Sequence, residues 1–246
     1  MTTVELYLDL LSQPCRAVYL FAKKTNIPFH FRLVDLMKGE QLNAKFTKVN
    51  LLQKVPALKD GDFTLAESVA ILLYLICKFK IPDHWYPREP QKRAQVDEFL
   101  AWQHSTIRRH TSQLFWLKVM TPLFVGQQVP PEKMEAASLE MSTTLQQLEK
   151  KFLQDKPFIV GEEISLADLV AFTELIQPVE SGVDIFANRP KLLAWRERVE
   201  ASLGKELVKE AHETLHKMKT LKTQNMDPQV VEYMKSKALS ISSGRF

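Results

Sequence analysis

The chain has 246 residues, of which 45% are hydrophobic and 25% charged, and its formal net charge is +4. This is the composition of an ordinary globular protein of one or two domains, and its basic residues are interleaved with acidic ones, so no nucleic-acid partner is predicted. Two cysteines, Cys15 and Cys77, are too few for a disulfide framework, and the longest apolar run, residues 69–77, is too short to cross a membrane. The cytoplasm is therefore the expected compartment.

The N-terminal residues predict a strand that leads directly into a helix. Apolar residues alternate over residues 4–10 and follow a helical period over residues 17–22. Ser12 and Pro14 stand between these patterns, which predicts a helix that begins between Ser12 and Cys15. Such a helix start presents unpaired N–H groups and the positive end of a dipole, so it can bind an anion. The alternative is that Ser12 is simply an N-cap.

The following residues complete a small mixed sheet. Residues 29–34 predict a second strand, parallel to the first, in a βαβ unit. After a short helical or irregular piece at residues 42–49, residues 55–65 predict a hairpin around Asp60-Gly61, with Pro56 at the start of its first strand. Ser68 is the candidate N-cap of the next helix. We therefore predict an α/β domain over residues 1–80.

The rest of the chain is predicted to be helical. Residues 79–90 contain three prolines and predict a linker. Ser165 and Asp168 have the spacing of a capping box at a helix start. The helical patterns cover residues 91–120, 131–154, 166–177, 190–201, 205–219 and 228–239. This predicts an all-α domain over residues 90–224 and an extension over residues 225–246.

Five motifs occur in a fixed order along these elements. They are LYLDLLSQPCR at residues 6–16, KVPAL at 54–58, LAES at 65–68, LAWQH at 100–104 and ISLAD at 164–168. With them the chain resembles the theta class of cytosolic glutathione transferases, over about residues 3–220. The resemblance implies a thioredoxin-like N-terminal domain that binds glutathione, a helical domain that binds an electrophile, and a C-terminal extension that covers the active site.

The resemblance also implies roles for individual residues. In this class a Ser hydroxyl at the start of the first helix donates a hydrogen bond to the glutathione thiolate, which makes Ser12 the expected catalytic residue. Glutathione is the only cosubstrate that the resemblance implies, and no metal is expected. The residues expected to bind the remainder of glutathione are Gln41, Lys54, Val55, Glu67 and Ser68.

These binding residues divide among the parts of the tripeptide. Val55, beside a Pro56 that the family holds in cis, would pair with the cysteinyl backbone. Glu67 and Ser68 would hold the γ-glutamyl end, and Gln41 and Lys54 the glycine end. Gln41 departs from the family, which frequently has His there. Read without the resemblance, Glu67 could be a solvated first-turn acid and Lys54 a surface residue.

The electrophile side is assigned to the helical domain. Ser105 and Arg108 are three residues apart in one predicted helix and would share a face near the thiol. Trp116 and Phe115 are candidates for an apolar wall, although aromatic residues at such spacing also form plain core. The alternative for Arg108 is a pair with a carboxylate such as Glu98.

Three functions are compatible with these residues and motifs. The first is conjugation of glutathione to small electrophiles such as alkyl halides and epoxides, as in detoxification, with reduction of organic hydroperoxides as a further activity and a homodimer as the expected assembly. The second is a non-catalytic binding module with the same fold. The third is a thiol oxidoreductase that uses Cys15, which is disfavoured because Ser12 replaces the first cysteine of a C-x-x-C motif.

Overall fold

The structure is a computed structural model that describes residues 3–218 and 223–243. Within them, one sheet contains β1 (Val4–Leu8), β2 (Phe29–Leu33), β3 (Ala57–Asp60) and β4 (Phe63–Ala66), in the order β2-β1-β3-β4. Strand β1 is parallel to β2 and antiparallel to β3, and β3 is antiparallel to β4. The predicted βαβ unit and hairpin are therefore confirmed. The hairpin turn consists of Gly61 and Asp62, and Gly61 has a φ of 61°, which favours glycine.

Helices cover both faces of this sheet. Helix α1 (Gln13–Lys24) begins directly after Ser12, as predicted, and packs against both the sheet and the helical domain. The piece between β2 and β3 contains two 3₁₀ turns and the short helix α2 (Ala44–Thr47). Helix α3 (Ser68–Lys78) follows β4.

The N-cap predicted at Ser68 is wrong. Ser68 is the first residue of α3, and Glu67 occupies the N-cap position with φ 66° and ψ 117°. Strand β4 ends at Ala66, so the chain has a single residue in which to turn from strand to helix. A positive φ at a residue other than glycine is a strained conformation, and such residues concentrate at functional sites.

The second part of the chain is helical throughout its described elements. Together with the N-terminal sheet, it confirms the predicted fold class: a thioredoxin-like α/β domain joined to an all-α domain. The segment at residues 219–222 interrupts the described chain, so Lys219, which was predicted to end a helix, lies outside it. The helices are α4 (Pro90–Ser105), α5 (Ile107–Phe115), α6 (Thr121–Val125), α7 (Pro131–Gln147), α8 (Leu166–Glu180), α9 (Pro190–Leu203), α10 (Lys205–Lys217) and α11 (Pro228–Ser242).

The single helix predicted over residues 91–120 is broken. Thr106 has φ −117° and ψ −83°, which separates α4 from α5, and a π-helical turn then leads into α6. The Thr106 hydroxyl donates to the Trp102 carbonyl at 2.5 Å. A β-branched residue whose hydroxyl competes for a helix carbonyl favours such a break, and periodicity alone does not reveal it.

The predicted linker is packed against both parts of the molecule. Trp85 is buried, and its ring meets that of Phe21 on α1 edge to face, with 5.3 Å between centroids. Its neighbour His84 is hydrogen-bonded to the Ile164 carbonyl in front of α8. Across the described ranges, none of the helices has the length and apolarity needed to cross a membrane.

The predicted capping box at the start of α8 is present. The carboxylate of Asp168 accepts hydrogen bonds from the Ser165 N–H at 3.0 Å and the Ile159 N–H at 2.8 Å. It also accepts from the Trp195 indole N–H at 2.9 Å. Because Asp168 is fully buried, no water can replace these bonds, and the carboxylate holds α8, α9 and the preceding loop together.

Asp168→Ala is therefore expected to lower the free energy of unfolding by about 3 kcal/mol or more, because it leaves several buried donors unpaired. Urea unfolding followed by circular dichroism measures this. The control is Asp155→Ala, which removes an exposed carboxylate paired with Lys191 and should leave the free energy of unfolding close to that of the wild type. Equal losses in the two variants would contradict the structural role of Asp168.

Candidate active site

A cavity of about 470 Å³ lies where the sheet meets the helical domain. Strands β1, β2 and β4 end, and β3 begins, at the same end of the sheet. This follows from the register, since Leu8 pairs with Leu33 and Ala57 with Ala66. The loop from β1 to α1 forms one wall of the cavity. Helices α5, α8 and α11 supply the opposite wall.

Seven of the residues predicted from the sequence line this cavity, while Glu67, Ser68 and Ser105 do not. Glu67 and Ser68 nevertheless lie at the same end of the sheet as the cavity, because they follow Ala66, which pairs with Ala57 at the start of β3. The seven lining residues are Ser12, Gln41, Lys54, Val55, Arg108, Phe115 and Trp116.

Ser12 occupies the N-cap position of α1, in an extended conformation with φ −82° and ψ 126°. Its N–H donates to the Asp9 carbonyl at 3.0 Å, and its carbonyl accepts from the Arg16 N–H at 3.0 Å. In the described part of the chain, its hydroxyl makes no capping bond to the first turn of the helix, although it lies within hydrogen-bonding reach of the Cys15 thiol. The hydroxyl can therefore turn toward a ligand in the cavity.

Cys15 is unsuited to redox chemistry. Its side chain is fully buried, and this burial raises the pKa of the thiol to about 12, against a smaller opposing effect of the Ser12 hydroxyl. Only the thiolate is a nucleophile, and at neutral pH almost none would form. These observations count against an oxidoreductase that depends on Cys15.

Asp9 is a site residue that was not predicted from the sequence. Its carboxylate is only 5% exposed and accepts from the N–H groups of Leu11 and Leu36, each at 2.9 Å. Burial raises the pKa of Asp9, while these two hydrogen bonds oppose the rise. Leu11 and Leu36 both line the cavity, so Asp9 holds two parts of its wall in register. In the sequence, this role could have been suspected from the position of an acidic residue within the apolar run at residues 4–10.

Arg108 is held by a buried acid. Its Nε lies 2.9 Å from Oε1 of Glu174 on α8, a residue only 1% exposed. Glu98, the partner considered from the sequence, instead pairs with Lys151 at 3.0 Å. The expectation that Ser105 and Arg108 share one face of one helix is wrong, because the chain breaks between them, and Ser105 is exposed at the end of α4.

Within residues 3–218 and 223–243, the charged residues that line the cavity are all cationic: Lys54, Arg108 and Lys237. Lys237, on α11, was not predicted, and its Nζ lies 5.1 Å from the centroid of the Trp116 ring. Limited hydration lowers the pKa of Lys237, and the charge of Lys54 adds to this effect. The site therefore favours a ligand that carries negative charge.

Gln41 offers the cavity a polar group without a partner in the described chain. The residue is 5% exposed, and its side-chain oxygen has no hydrogen bond. A buried amide oxygen normally has a donor, so this atom is suited to accept one from a ligand. The predicted cis peptide bond between Val55 and Pro56 is present, and Val55 lines the cavity. Over the described ranges, no three His, Cys, Asp or Glu side chains are grouped to hold a metal ion.

Comparisons with known proteins agree with this fold. Residues 5–76 match the family model of the glutathione S-transferase N-terminal domain, and residues 109–202 match that of the C-terminal domain. Human glutathione S-transferase theta-1 is 61% identical over 216 residues, which cover 88% of this chain and 90% of that protein.

Solved structures show the same relationship. Human glutathione S-transferase T1-1 in its apo form has a TM-score of 0.92 and 56% identity, covering 97% of this chain and 99% of that one. A human theta-class transferase in complex with the glutathione conjugate of 1-menaphthyl sulfate has a TM-score of 0.90 and 48% identity, covering 98% and 100%. This degree of similarity identifies an enzyme and not a non-catalytic module. The chain belongs to the theta class of the glutathione S-transferases.

Proposed function

We propose that this chain conjugates glutathione to small electrophiles through a thiolate held by the Ser12 hydroxyl. One observation carries the proposal: the Ser12 hydroxyl, which makes no capping bond, stands at the N-terminus of α1 and faces a cavity whose charged lining residues, as far as the chain is described, are all cationic. A human theta-class relative binds a glutathione conjugate, which supports the same use of the cavity here.

The Ser12 hydroxyl and the N-terminus of α1 can together supply the free energy needed to ionise the glutathione thiol, without a general base. A free thiol has a pKa of about 8.5, and lowering it by about two units requires roughly 2.7 kcal/mol in favour of the anion. A hydroxyl that donates to an ionised acceptor supplies about 1.5 to 3 kcal/mol. The N-terminus of α1 adds about 0.3 to 1 kcal/mol. The sulfur of glutathione is therefore expected to be largely ionised at neutral pH when it lies against Ser12.

The rest of the tripeptide is expected to lie along the end of the sheet that faces the cavity. The Val55 backbone would pair with the cysteinyl residue, as an added strand does. Glu67 and Ser68 would hold the γ-glutamyl end, and the strained backbone of Glu67 supports a functional role for that turn. Lys54 would attract the glycine carboxylate, while the unpaired oxygen of Gln41 would accept a hydrogen bond from a glutathione N–H.

The electrophile would enter between the thiol and the helical wall. Trp116 and Met234 supply apolar surface there, and Arg108 and Lys237 supply positive charge. In the reaction with an alkyl halide, the sulfur forms a bond to carbon as the carbon–halogen bond breaks, and the halide leaves with the electron pair beside these cations. Epoxides would develop negative charge on oxygen at the same place, and organic hydroperoxides are proposed as further substrates that glutathione reduces.

The extension over residues 225–246 is proposed to restrict the substrates. Tyr233, Met234 and Lys237 of α11 line a cavity of about 470 Å³ that glutathione must share with the second substrate, so small electrophiles fit best. The last three residues, 244–246, lie outside the described chain.

We further propose domain boundaries at residues 1–80 and 90–224, a cytoplasmic location and a role in detoxification.

A homodimer is the proposed assembly. Leu51 is 85% exposed, and contact with a second copy would bury its side chain, whereas its neighbour Leu52 lines the cavity. Sedimentation equilibrium of the purified protein is expected to give twice the mass of the chain. The chain mass at all concentrations tested would contradict the homodimer.

Ser12→Ala is expected to lower kcat by about 10²-fold or more, because it removes a preorganised donor from the developing anion. Release of halide from a small alkyl halide in the presence of glutathione measures this. Cys15→Ala is the matched control three residues away and should retain conjugation in the folded protein. A wild-type rate in Ser12→Ala would remove Ser12 from the mechanism, and loss of conjugation in Cys15→Ala would revive the thiol-based alternative.

Lys237→Met is expected to lower kcat/KM by about three- to tenfold, because it removes one cation from a site that binds anions. The loss should shrink as salt concentration rises, since salt screens charges at the mouth of a cavity. Lys235→Met makes the same change on α11 at a residue outside the cavity wall, so its kinetics should match the wild type. Equal kinetics in the two variants at low salt would contradict the role of Lys237.

A further inference from the structure

Arg16 is a fully buried arginine in the first turn of α1, and its bonds reach back to the loop that carries Ser12. Its Nη1 donates to the carbonyl oxygens of Leu10 at 2.8 Å and Leu11 at 2.9 Å, the two residues immediately before Ser12. Burial of a guanidinium is costly unless its donors are paired. The pairing used here fixes the backbone of the β1–α1 loop.

The other end of the same guanidinium reaches the helical domain. Its Nη2 donates to the side-chain carbonyl of Gln177 and lies 3.4 Å from the Thr173 carbonyl, both on α8. Glu174 of the same helix holds Arg108, and its charge also opposes the lowering of the Arg16 pKa by burial. A single helix therefore positions two arginines, one behind Ser12 and one in the wall opposite to it.

We propose that Arg16 is a positioning residue, which fixes the Ser12 hydroxyl relative to the helical wall of the cavity by joining the β1–α1 loop to α8. The inference rests on the function proposed for Ser12. Among the described residues, Gln177 reaches the cavity surface while Arg16 lies behind it, so Arg16 acts through the loop and not by touching the ligand.

The shape of the guanidinium is what this role requires. Two nitrogens of one planar group point to different elements, with Nη1 on the loop and Nη2 on α8. A lysine ammonium retains the charge but is a single point on a flexible stem, so it cannot hold both elements at the same separation. Arg16→Lys thus separates positioning from charge.

The experiment is a pH titration of bound glutathione, followed by the ultraviolet absorbance of its thiolate, in the wild type and three variants. Arg16→Lys is expected to raise the thiol pKa by about one unit, which lowers the ionised fraction of the thiol at neutral pH, and with it kcat, by about threefold. Ser12→Ala should raise the pKa further. Arg189→Lys is the matched control, since Arg189 bridges Glu149 and Ser142 of the helical domain away from the cavity, and it should leave the thiol pKa unchanged.

The outcomes are distinct. A wild-type titration in Arg16→Lys, with the pKa raised in Ser12→Ala, would overturn the positioning role and leave the proposed function standing. A wild-type titration in Ser12→Ala would overturn the proposed function itself. If Arg16→Lys does not fold, Gln177→Leu takes its place, because it removes the closer of the two α8 acceptors and leaves the loop bonds of Arg16 intact; an unchanged thiol pKa in that variant would overturn the inference.

Discussion

A hydroxyl at the positive end of a helix can stabilise an anion only if the backbone that carries it is held in place. In this chain the loop between β1 and α1 is held from two sides by buried charged groups. Asp9 fastens it to the segment after β2 through the N–H groups of Leu11 and Leu36. Arg16 fastens it to α8 through the carbonyls of Leu10 and Leu11. The shape of the cavity depends on these bonds of Asp9 and Arg16, because its two walls belong to different parts of the chain.

The same helix start gives two neighbouring side chains opposite properties. Ser12, at the N-cap, is partly exposed and faces the cavity, whereas Cys15, one turn later, faces the core and is fully buried. Burial suppresses ionisation of the cysteine, while the end of the helix favours an anion beside the serine. With serine in place of the first cysteine of a C-x-x-C motif, Cys15 has no partner at that position for a disulfide, and the proposed role of the site is to hold the sulfur of another molecule.

Local patterns predicted most of the fold and part of the site. The strand-to-helix junction at Ser12, the hairpin and the capping box at Ser165 and Asp168 all depend on residues close in sequence, and the structure contains each of them. The break at Thr106 was missed, because residues on both sides continue the same helical period. The roles of Glu174, Gln177 and Lys237 could not be predicted, since each depends on a contact with a residue more than 60 positions away.

We propose that Ser12 holds the glutathione sulfur as a thiolate. A crystal structure of the chain with bound glutathione, determined at neutral pH, tests it most directly. We expect the sulfur within hydrogen-bonding distance of the Ser12 hydroxyl, at the start of α1 and facing the wall that carries Arg108. A sulfur turned away from Ser12, or held by a different donor, would contradict the account.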